Sequence, residues 1–299
     1  MGYLDGRVCI VTGAGRGIGA ATAELLGQEG ARVVVNDLGV ELDGTGSDTQ
    51  PAEEVVERIR AAGGQAVANF GNVADHAQAE QLIHSAIEAY GRLDVLVNVA
   101  GILRDRMIFN LPEGDWDAVI AVHLKGTYNT THFASQYWHD RREGDYRLIN
   151  FTSSSGLFGA PGQPNYAAAK MGIVGFTYSC ARALQRYGVT ANAIAPGAAT
   201  RMIDSIPGER RTFTASVDRS PENVAVLVGF LASRASGWAT GRVFGARGHE
   251  YTLYSNPEPV RVVAGETRFT IERLEAALEA TFRPAVAPPE PRSDTPRGS

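Results

Sequence analysis

The sequence has little cysteine and no long apolar run. Its 299 residues include only two cysteines, Cys9 and Cys180, each in an apolar pattern and neither in a CxxC pair. We therefore expect buried thiols rather than a disulfide. No stretch approaches the roughly 18 apolar residues of a membrane-spanning helix, and a strand pattern starts almost at the N-terminus without a signal-peptide segment. These absences predict a soluble, cytoplasmic protein with no membrane partner.

The sequence also lacks an excess of charge of one sign. The net charge is −5, acids and bases are interspersed, and hydrophobic and charged contents of 44% and 20% are ordinary for a globular protein. This balance argues against a nucleic-acid partner. Most histidines are interpreted as surface or packing residues, since their spacing matches no metal site; these are His76, His84, His132, His139 and His249.

What the sequence does contain is a regular alternation of buried strands and helices. The run 7–13 is apolar and rich in β-branched residues, and a helix pattern and a second such strand, 31–37, follow it. Repetition of this unit predicts an α/β fold with a single doubly wound Rossmann domain over residues 1–250. We expect a seven-stranded parallel sheet in the order 3-2-1-4-5-6-7, flanked by helices on both faces.

Two segments stand outside this alternation. Residues 38–50 form a connection that is long for a βα unit, and long loops are often functional. Residues 251–283 are predicted to be a C-terminal extension with a hairpin and one amphipathic helix. The Pro-rich tail 284–299 is predicted to be disordered.

A glycine-rich turn, TGAGRGIG, joins the first strand to its helix. Glycines at positions 13, 17 and 19 let the backbone turn tightly and approach a pyrophosphate, which the helix N-terminus would bind. Asp37 ends the second strand, where an acid can accept hydrogen bonds from ribose hydroxyls and repel a 2′-phosphate. Arg16 is able to bind that phosphate, but we expect the acid to decide. The prediction is an NAD cofactor, the alternative being that Asp37 only caps a loop.

Reactive side chains cluster after the fifth strand. Three serines, 153–155, end that strand, and Tyr166 and Lys170 follow at a helical i, i+4 spacing that places them on one face. The ammonium is expected to lower the pKa of the phenol, which can then exchange a proton with an alcohol or carbonyl oxygen. The alternative is an ordinary pair on a helix surface.

These motifs together resemble those of the classical short-chain dehydrogenases/reductases. TGAGRGIG, NVAG at 98–101 and the Ser…Tyr-x-x-x-Lys pattern match over roughly residues 5–250. The family serine precedes the tyrosine by 13 positions, which selects Ser153, with Ser155 as the runner-up for a substrate-facing hydroxyl. The resemblance therefore implies Ser153, Tyr166 and Lys170 as catalytic residues.

The same resemblance implies the remaining contacts. In this family the long helix 112–142 and the helix 164–187 pair with a neighbouring subunit, so a homodimer or homotetramer is expected. The implied cofactor-binding residues are Gly13, Arg16, Gly17, Ile18, Gly19, Asp37, Asn72, Val73, Asn98, Ala100, Gly101, Tyr166, Lys170, Pro196, Gly197, Ala199 and Thr200.

One branch of the family is more similar still. VVVNDLG, GILRDRMIF, AVHLKG and IAPGAATRM resemble the dehydrogenase unit of peroxisomal multifunctional enzyme type 2, which oxidises (3R)-hydroxyacyl-CoA with NAD. A CoA ester is therefore the implied substrate. Val99 replaces the second Asn of NNAG, and His123 replaces the Asn that often completes a catalytic tetrad. That branch also carries His there, and we assign His123 no catalytic role.

Other functions remain open at this point. The alternatives are a 3-oxoacyl-carrier-protein reductase, a hydroxysteroid or secondary-alcohol dehydrogenase, and an inactive dinucleotide sensor. The family places a substrate lid at 201–220. Its arginines and the two after the fourth strand are able to pair with CoA phosphates, although ordinary surface charge is the simpler interpretation; these are Arg210, Arg211, Arg219, Arg104 and Arg106.

Overall fold

The computed structural model describes residues 2–142, 144–197, 218 and 220–286. The chain divides into two compact units, Met1–Ser255 and Asn256–Ser299. Both cysteines are free thiols, with Cys9 buried and Cys180 partly buried. Across the described ranges, no helix is both long enough and apolar enough to cross a membrane.

The first unit is built on one sheet, because its strands are apolar on both faces. Every residue of β1 is buried, as expected for a central parallel strand. The sheet order is β3-β2-β1-β4-β5-β6-β7-β8, which confirms the predicted order for seven parallel strands. An eighth, antiparallel strand was not predicted. The strands are β1 Val8–Thr12, β2 Arg32–Asn36, β3 Gln65–Asn69, β4 Val95–Asn98, β5 Tyr146–Phe151, β6 Val189–Pro196, β7 Arg242–Arg247 and β8 Glu250–Tyr254.

Helices cover both faces, as predicted. Alternate side chains of each strand point to opposite faces, so Cys9 and Val11 join one core cluster while Val8 and Ile10 join the other. The helices of this unit are α1 Gly17–Gln28, α2 Gln50–Ala61, α3 His76–Tyr90, α4 Glu113–Ile120, α5 Gly126–Arg141, α6 Ser154–Phe158, α7 Pro164–Leu184 and α8 Pro221–Ala232; α9 Ile271–Thr281 belongs to the second unit.

The strand order changes direction next to β1, which pairs with both β2 and β4. In open α/β sheets, ligands bind in the crevice at the carboxyl ends of the strands beside such a switch point. The glycine turn after β1, Asp37 after β2 and the loop after β4 all lie at this edge. The fold therefore brings the predicted cofactor residues to one place.

The helix predicted for residues 112–142 is not a continuous α-helix. A π-helical segment, Ala121–Lys125, separates α4 from α5. The π-turn holds an extra residue, and such turns often occur at functional sites. Here the segment carries His123, whose buried ring reaches the backbone of Ile102 in the loop after β4.

The sheet extends further along the chain than the sequence indicated. Residues 251–254, which were placed in the C-terminal extension, belong to β8, and Val243 of β7 is the register partner of Tyr254. The second unit contains α9, whose first turn is capped by the Thr270 hydroxyl accepting from the Arg273 N–H. Residues 287–299 lie outside the described residues, so the predicted disorder of the tail stays a prediction.

Candidate active site

The glycine turn is shaped for close backbone approach. Gly13 has a φ of 63°, and a Cβ there would lie 2.7 Å from the Cα of Ala100. A Cβ on Gly19 would lie 2.0 Å from the carbonyl oxygen of Gly13. Arg16 precedes α1 in an extended conformation and gives the helix no side-chain cap. The N-terminus of α1 is thus available to an anionic group such as a pyrophosphate.

Asp37 faces this turn directly. Its Oδ2 accepts a hydrogen bond from the Gly15 N–H at 2.7 Å, and its Oδ1 accepts one from the Gly39 N–H at 2.6 Å. Each carboxylate oxygen keeps a lone pair with which to accept from a ribose hydroxyl. A Cβ on Gly15 would lie 2.9 Å from the carboxyl group, a requirement that the sequence did not reveal. Arg16 instead donates to the Val40 carbonyl at 3.3 Å.

The end of β4 is held by an internal network. The buried side chain of Asn98 donates to Asn150 at 3.0 Å and accepts from Thr130 at 2.8 Å, so its amide is committed to the protein interior. Thr12 Oγ1 accepts from the backbone N–H groups of Val99 and Ala100. The Asn98 side chain thus ties β4 to β5 and α5, and Thr12 holds the loop that follows β4.

The other predicted cofactor contacts lie at the same edge. Asn129 Nδ2 donates to the Val73 carbonyl at 2.9 Å, and Asn72 Oδ1 accepts from the Ala74 N–H at 2.9 Å, which fixes the segment after β3. Gly197, after Pro196, donates its N–H to β7. Two predicted contacts, Ala199 and Thr200, and the arginines at 210, 211 and 219 lie outside the described residues.

The end of β5 and the start of α7 bring the predicted catalytic side chains together. Ser153 caps α6 at the end of β5, and its hydroxyl is hydrogen-bonded to the phenol of Tyr166 in the first turn of α7. Lys170, one turn later, donates its Nζ proton to the Phe151 carbonyl at 2.8 Å and lies 5.5 Å from the centroid of the Tyr166 ring. The Thr152 hydroxyl donates to the Lys170 carbonyl at 2.7 Å and ties α7 to β5.

The protonation of this cluster differs from the expected one. Burial raises the pKa of Tyr166 to about 12; the Ser153 hydrogen bond opposes this rise and the charge of Asp105 adds to it. Burial also lowers the pKa of Lys170 to about 7. The expectation that Lys170 lowers the pKa of Tyr166 is not met in this geometry. Burial is the largest cause of both shifts, and Lys170 is not among the causes of the Tyr166 shift.

His123 occupies the position where the wider family often has Asn. Its Nε2 lies 2.8 Å from the carbonyl oxygen and 3.0 Å from the nitrogen of Ile102, and its ring meets Tyr166 edge-on at 5.2 Å. Burial lowers the pKa of His123 to about 3, so the imidazole is neutral. A Cβ on Gly101 would lie 2.1 Å from His123 Cε1. The buried ring therefore packs between the loop after β4 and the Tyr166 side chain.

Polar residues that the sequence did not single out also support the site. Asn165 is fully buried; its Oδ1 accepts from the Tyr166 N–H at 2.8 Å and its Nδ2 donates to the Arg104 carbonyl at 3.0 Å. Gln163 donates to Asp105 at 2.7 Å. Their only signal in the sequence is that Gln163 and Asn165 lie within three residues before the tyrosine. Arg104 also pairs with Asp115 at 3.3 Å, so it is not a free surface charge.

A polar crevice beside a glycine turn, holding Ser, Tyr and Lys, suits transfer of a proton to or from an alcohol oxygen next to a dinucleotide. Known proteins agree with this chemistry. The chain is 44% identical over 93% of its length to "Hydroxyacyl-CoA dehydrogenase ChsB1" of Mycobacterium tuberculosis, of which it covers 89%. It is 39% identical over 82% of its length to "3-oxoacyl-[acyl-carrier-protein] reductase FabG" of Thermotoga maritima, of which it covers 98%.

Other matches extend this relationship. "Peroxisomal multifunctional enzyme type 2" of Drosophila melanogaster is 42% identical over 79% of this chain, which spans 40% of that protein. A crystal structure of a short chain dehydrogenase from Mycobacterium avium superimposes with a TM-score of 0.84 at 46% identity, covering 94% of this chain and 96% of that one. The short chain dehydrogenase family model matches residues 7–209. The chain belongs to the short-chain dehydrogenase family and is an oxidoreductase that acts on CH–OH groups.

Proposed function

We propose that the protein oxidises the C3 hydroxyl of a (3R)-hydroxyacyl-CoA to the 3-oxo group, with NAD as hydride acceptor. The observation that carries the cofactor assignment is the Asp37 carboxylate, held against the glycine turn with lone pairs left for ribose hydroxyls. The substrate class is supported by the names of relatives, among them a hydroxyacyl-CoA dehydrogenase and a multifunctional enzyme of type 2.

The catalytic roles follow from the geometry of the cluster. Tyr166 takes the proton of the C3 hydroxyl, and Ser153 donates a hydrogen bond to the same oxygen and holds it in place. Lys170 lies one turn along α7, and a positive charge on its amine would favour the tyrosinate. A bound nicotinamide ring would accept the hydride from C3. Loss of the proton and the hydride together converts the alcohol to a ketone.

Apolar side chains near this cluster suit an acyl chain. Met107, Ile108 and Phe158 are 44%, 66% and 59% exposed, and Met107 Sδ lies 4.0 Å from the Cβ position of Gly162, just before α7. An apolar chain lying on them would remove their surface from water. The loop after β4 and α6 thus carry exposed apolar side chains that an acyl chain could cover.

The second candidate is reduction of a 3-oxoacyl-carrier-protein, and the similarity to carrier-protein reductases favours it. Cofactor choice separates the two, since carrier-protein reductases commonly use NADPH. The carboxylate of Asp37 repels a 2′-phosphate, and the guanidinium of Arg16 is turned to the loop 38–50 rather than held free. We therefore place the reductase second.

Substitution of Asp37 tests this assignment. The wild-type enzyme should prefer NAD over NADP in kcat/KM, and Asp37→Asn should reduce that preference by roughly 10- to 100-fold, because hydrogen bonds to a charged group are worth about 1.5–3 kcal/mol. Asp48→Asn, in the same loop, where the carboxylate accepts from the Gln50 N–H, is the control and should change nothing. A wild-type enzyme that uses NADP as well as NAD would contradict the assignment.

A further inference from the structure

A hydrogen-bonded chain of three side chains runs beside the catalytic cluster. The Ser155 hydroxyl donates to Gln163 Oε1 at 2.8 Å, and Gln163 Nε2 donates to Asp105 Oδ2 at 2.7 Å. Asp105 lies in the loop after β4, Ser155 lies in α6, and Gln163 directly precedes α7. The chain therefore connects the three segments that surround Tyr166.

The carboxylate at one end fixes the direction of every bond in this chain. An ionised carboxylate only accepts hydrogen bonds, so Gln163 must turn its NH2 group toward Asp105 and its oxygen toward Ser155. Ser155 has a single hydroxyl proton, which it then gives to Gln163. On its exposed side, the partly buried Ser155 hydroxyl can offer only lone pairs, and so it acts as an acceptor.

Ser153, two residues earlier, has the opposite polarity. Its Oγ accepts a hydrogen bond from the backbone N–H of Ser155 at 3.1 Å, which leaves its own proton to be donated to the phenol or to a substrate oxygen. The two hydroxyls are therefore not interchangeable. Ser153 suits a carbonyl or alkoxide oxygen, whereas Ser155 suits an N–H or O–H group of the substrate.

Burying the Asp105 carboxylate costs free energy, which a chain with only a structural role would avoid. Oδ1 of Asp105 is buried and has no hydrogen-bond partner among the described residues. A neutral amide at position 105 could accept the same bond from Gln163 without burying a charge. What only a carboxylate does is exclude the reversed orientation of Gln163.

We propose that Ser155 is a specificity-determining acceptor for the amide N–H nearest the thioester in the pantetheine arm of the substrate, with Asp105 and Gln163 as positioning residues. This inference rests on the proposed function. In a 3-hydroxyacyl thioester the C3 hydroxyl proton goes to Tyr166, and the thioester carbonyl only accepts. The next donor along the arm is the amide N–H.

Two small thioesters that differ by one methyl group test this acceptor. One is the 3-hydroxybutyryl thioester of N-acetylcysteamine, and the other is the same thioester with the amide nitrogen methylated, which removes the N–H. Ser155→Ala should lower kcat/KM about 2- to 10-fold for the first thioester, mainly through KM, and leave the second unchanged, since one neutral hydrogen bond is lost. Ser154→Ala, at an exposed neighbour, should change neither.

The positioning residues are tested by reversing and then restoring the polarity. Asp105→Asn lets the Gln163 amide turn over, so the preference for the N–H thioester should fall toward that of Ser155→Ala. The double substitution Asp105→Asn with Gln163→Glu places a carboxylate beside Ser155, which must again donate to it, and the preference should return. A lost side-chain contact alone would not produce this rescue.

The outcomes separate the two levels of the proposal. Equal losses on both thioesters in Ser155→Ala, or a double variant without the preference, would overturn the assignment of Ser155 while the dehydrogenase activity stands. A wild-type enzyme that oxidises neither these thioesters nor any hydroxyacyl-CoA would overturn the proposed function and this inference with it.

Discussion

At the scale of single residues, burial dominates the properties of the site. It raises the pKa of Tyr166 to about 12 and lowers the pKa values of Lys170 and His123 to about 7 and about 3. A buried phenol is a poor base until a neighbouring positive charge favours its ionised form. The reaction therefore depends on groups that stabilise the tyrosinate, and Ser153 already does so through its hydrogen bond.

The buried His123 predicts a specific pH dependence of stability. Its folded pKa is below the unfolded value of 6.5, so the stability present above pH 6.5 is lost as the pH falls toward 3, by about 1.4 kcal/mol per pH unit. Between pH 7 and pH 5 the wild-type protein should lose about 2 kcal/mol more than His123→Asn. Urea unfolding measures this difference.

The control for that titration is His84→Asn, because His84 is exposed on α3. It should lose stability with pH as the wild-type protein does. If His123→Asn also follows the wild-type curve, the histidine is not held neutral by burial.

Local spacing in the sequence predicted the principal residues of the candidate site but not their supports. Ser153, Tyr166 and Lys170 lie on one strand–turn–helix unit; the i, i+4 spacing paired Tyr166 with Lys170, and the family resemblance selected Ser153 among the three serines. Asp105 and Asn129 come from other elements, and no local pattern announces a contact made across the fold. Burial likewise depends on the whole structure, so the raised pKa of Tyr166 could not be predicted from local patterns.

At the scale of elements, the loop after β4 and the π-helical segment fit each other. Gly101 leaves the space that the His123 ring fills, and the ring in turn contacts Tyr166. Periodicity indicated one long helix here, because an inserted residue changes the apolar pattern very little. The eighth strand was not predicted because its burial is only partial, so its sequence lacks a clear apolar run.

This fit predicts a non-additive pair of substitutions. Gly101→Ala should destabilise the protein by about 1–3 kcal/mol and lower kcat, because the new methyl group must displace the His123 ring. In the His123→Asn background the same change should cost much less. Thermal unfolding and initial rates of the four proteins measure the coupling.

Gly114→Ala is the matched control, since a Cβ there meets no atom within 4 Å. It should leave both stability and rate near those of the wild-type protein. Additive losses in Gly101→Ala and His123→Asn would show that the loop and the π-helical segment are not coupled.

At the scale of the whole molecule, the carboxyl and amino ends of the strands have different roles. The carboxyl edge holds the candidate active site, and the amino edge holds a charged cluster of Arg7, Asp145 and Arg147. The two arginines are 4% and 1% exposed, and each pairs with the Asp145 carboxylate, at 3.0 Å and 2.6 Å. Buried charges without a partner are costly, so this cluster concerns stability rather than chemistry.

Removal of the shared carboxylate should separate stability from activity. Asp145→Ala leaves both guanidinium groups without their counter-ion, and we expect a loss of about 1–3 kcal/mol, limited because Asp145 is itself partly exposed. At temperatures below the unfolding transition, the kcat of this variant should equal that of the wild-type protein. Asp140→Ala, whose partner is the exposed His139, is the control and should unfold like the wild-type protein. A large fall in kcat with normal stability would contradict this division.

The predicted homodimer or homotetramer and the cytoplasmic location are whole-molecule properties that stay predictions. Sequence patterns predicted the seven parallel strands well because each buried strand carries its own apolar signal. Quaternary contacts leave no such signal in a single chain, since a helix face that packs on a second subunit resembles one that packs on the core.

The measurement that tests the account most directly is NADH formation from the two enantiomers of a 3-hydroxyacyl-CoA by the wild-type enzyme and by Tyr166→Phe. The account predicts rapid reduction of NAD with the (3R) ester, little with the (3S) ester, and a loss of about 10²- to 10⁴-fold in kcat for the variant, whose binding of NADH persists. Near-normal turnover by Tyr166→Phe, or no NADH from either ester with the wild-type enzyme, would contradict it.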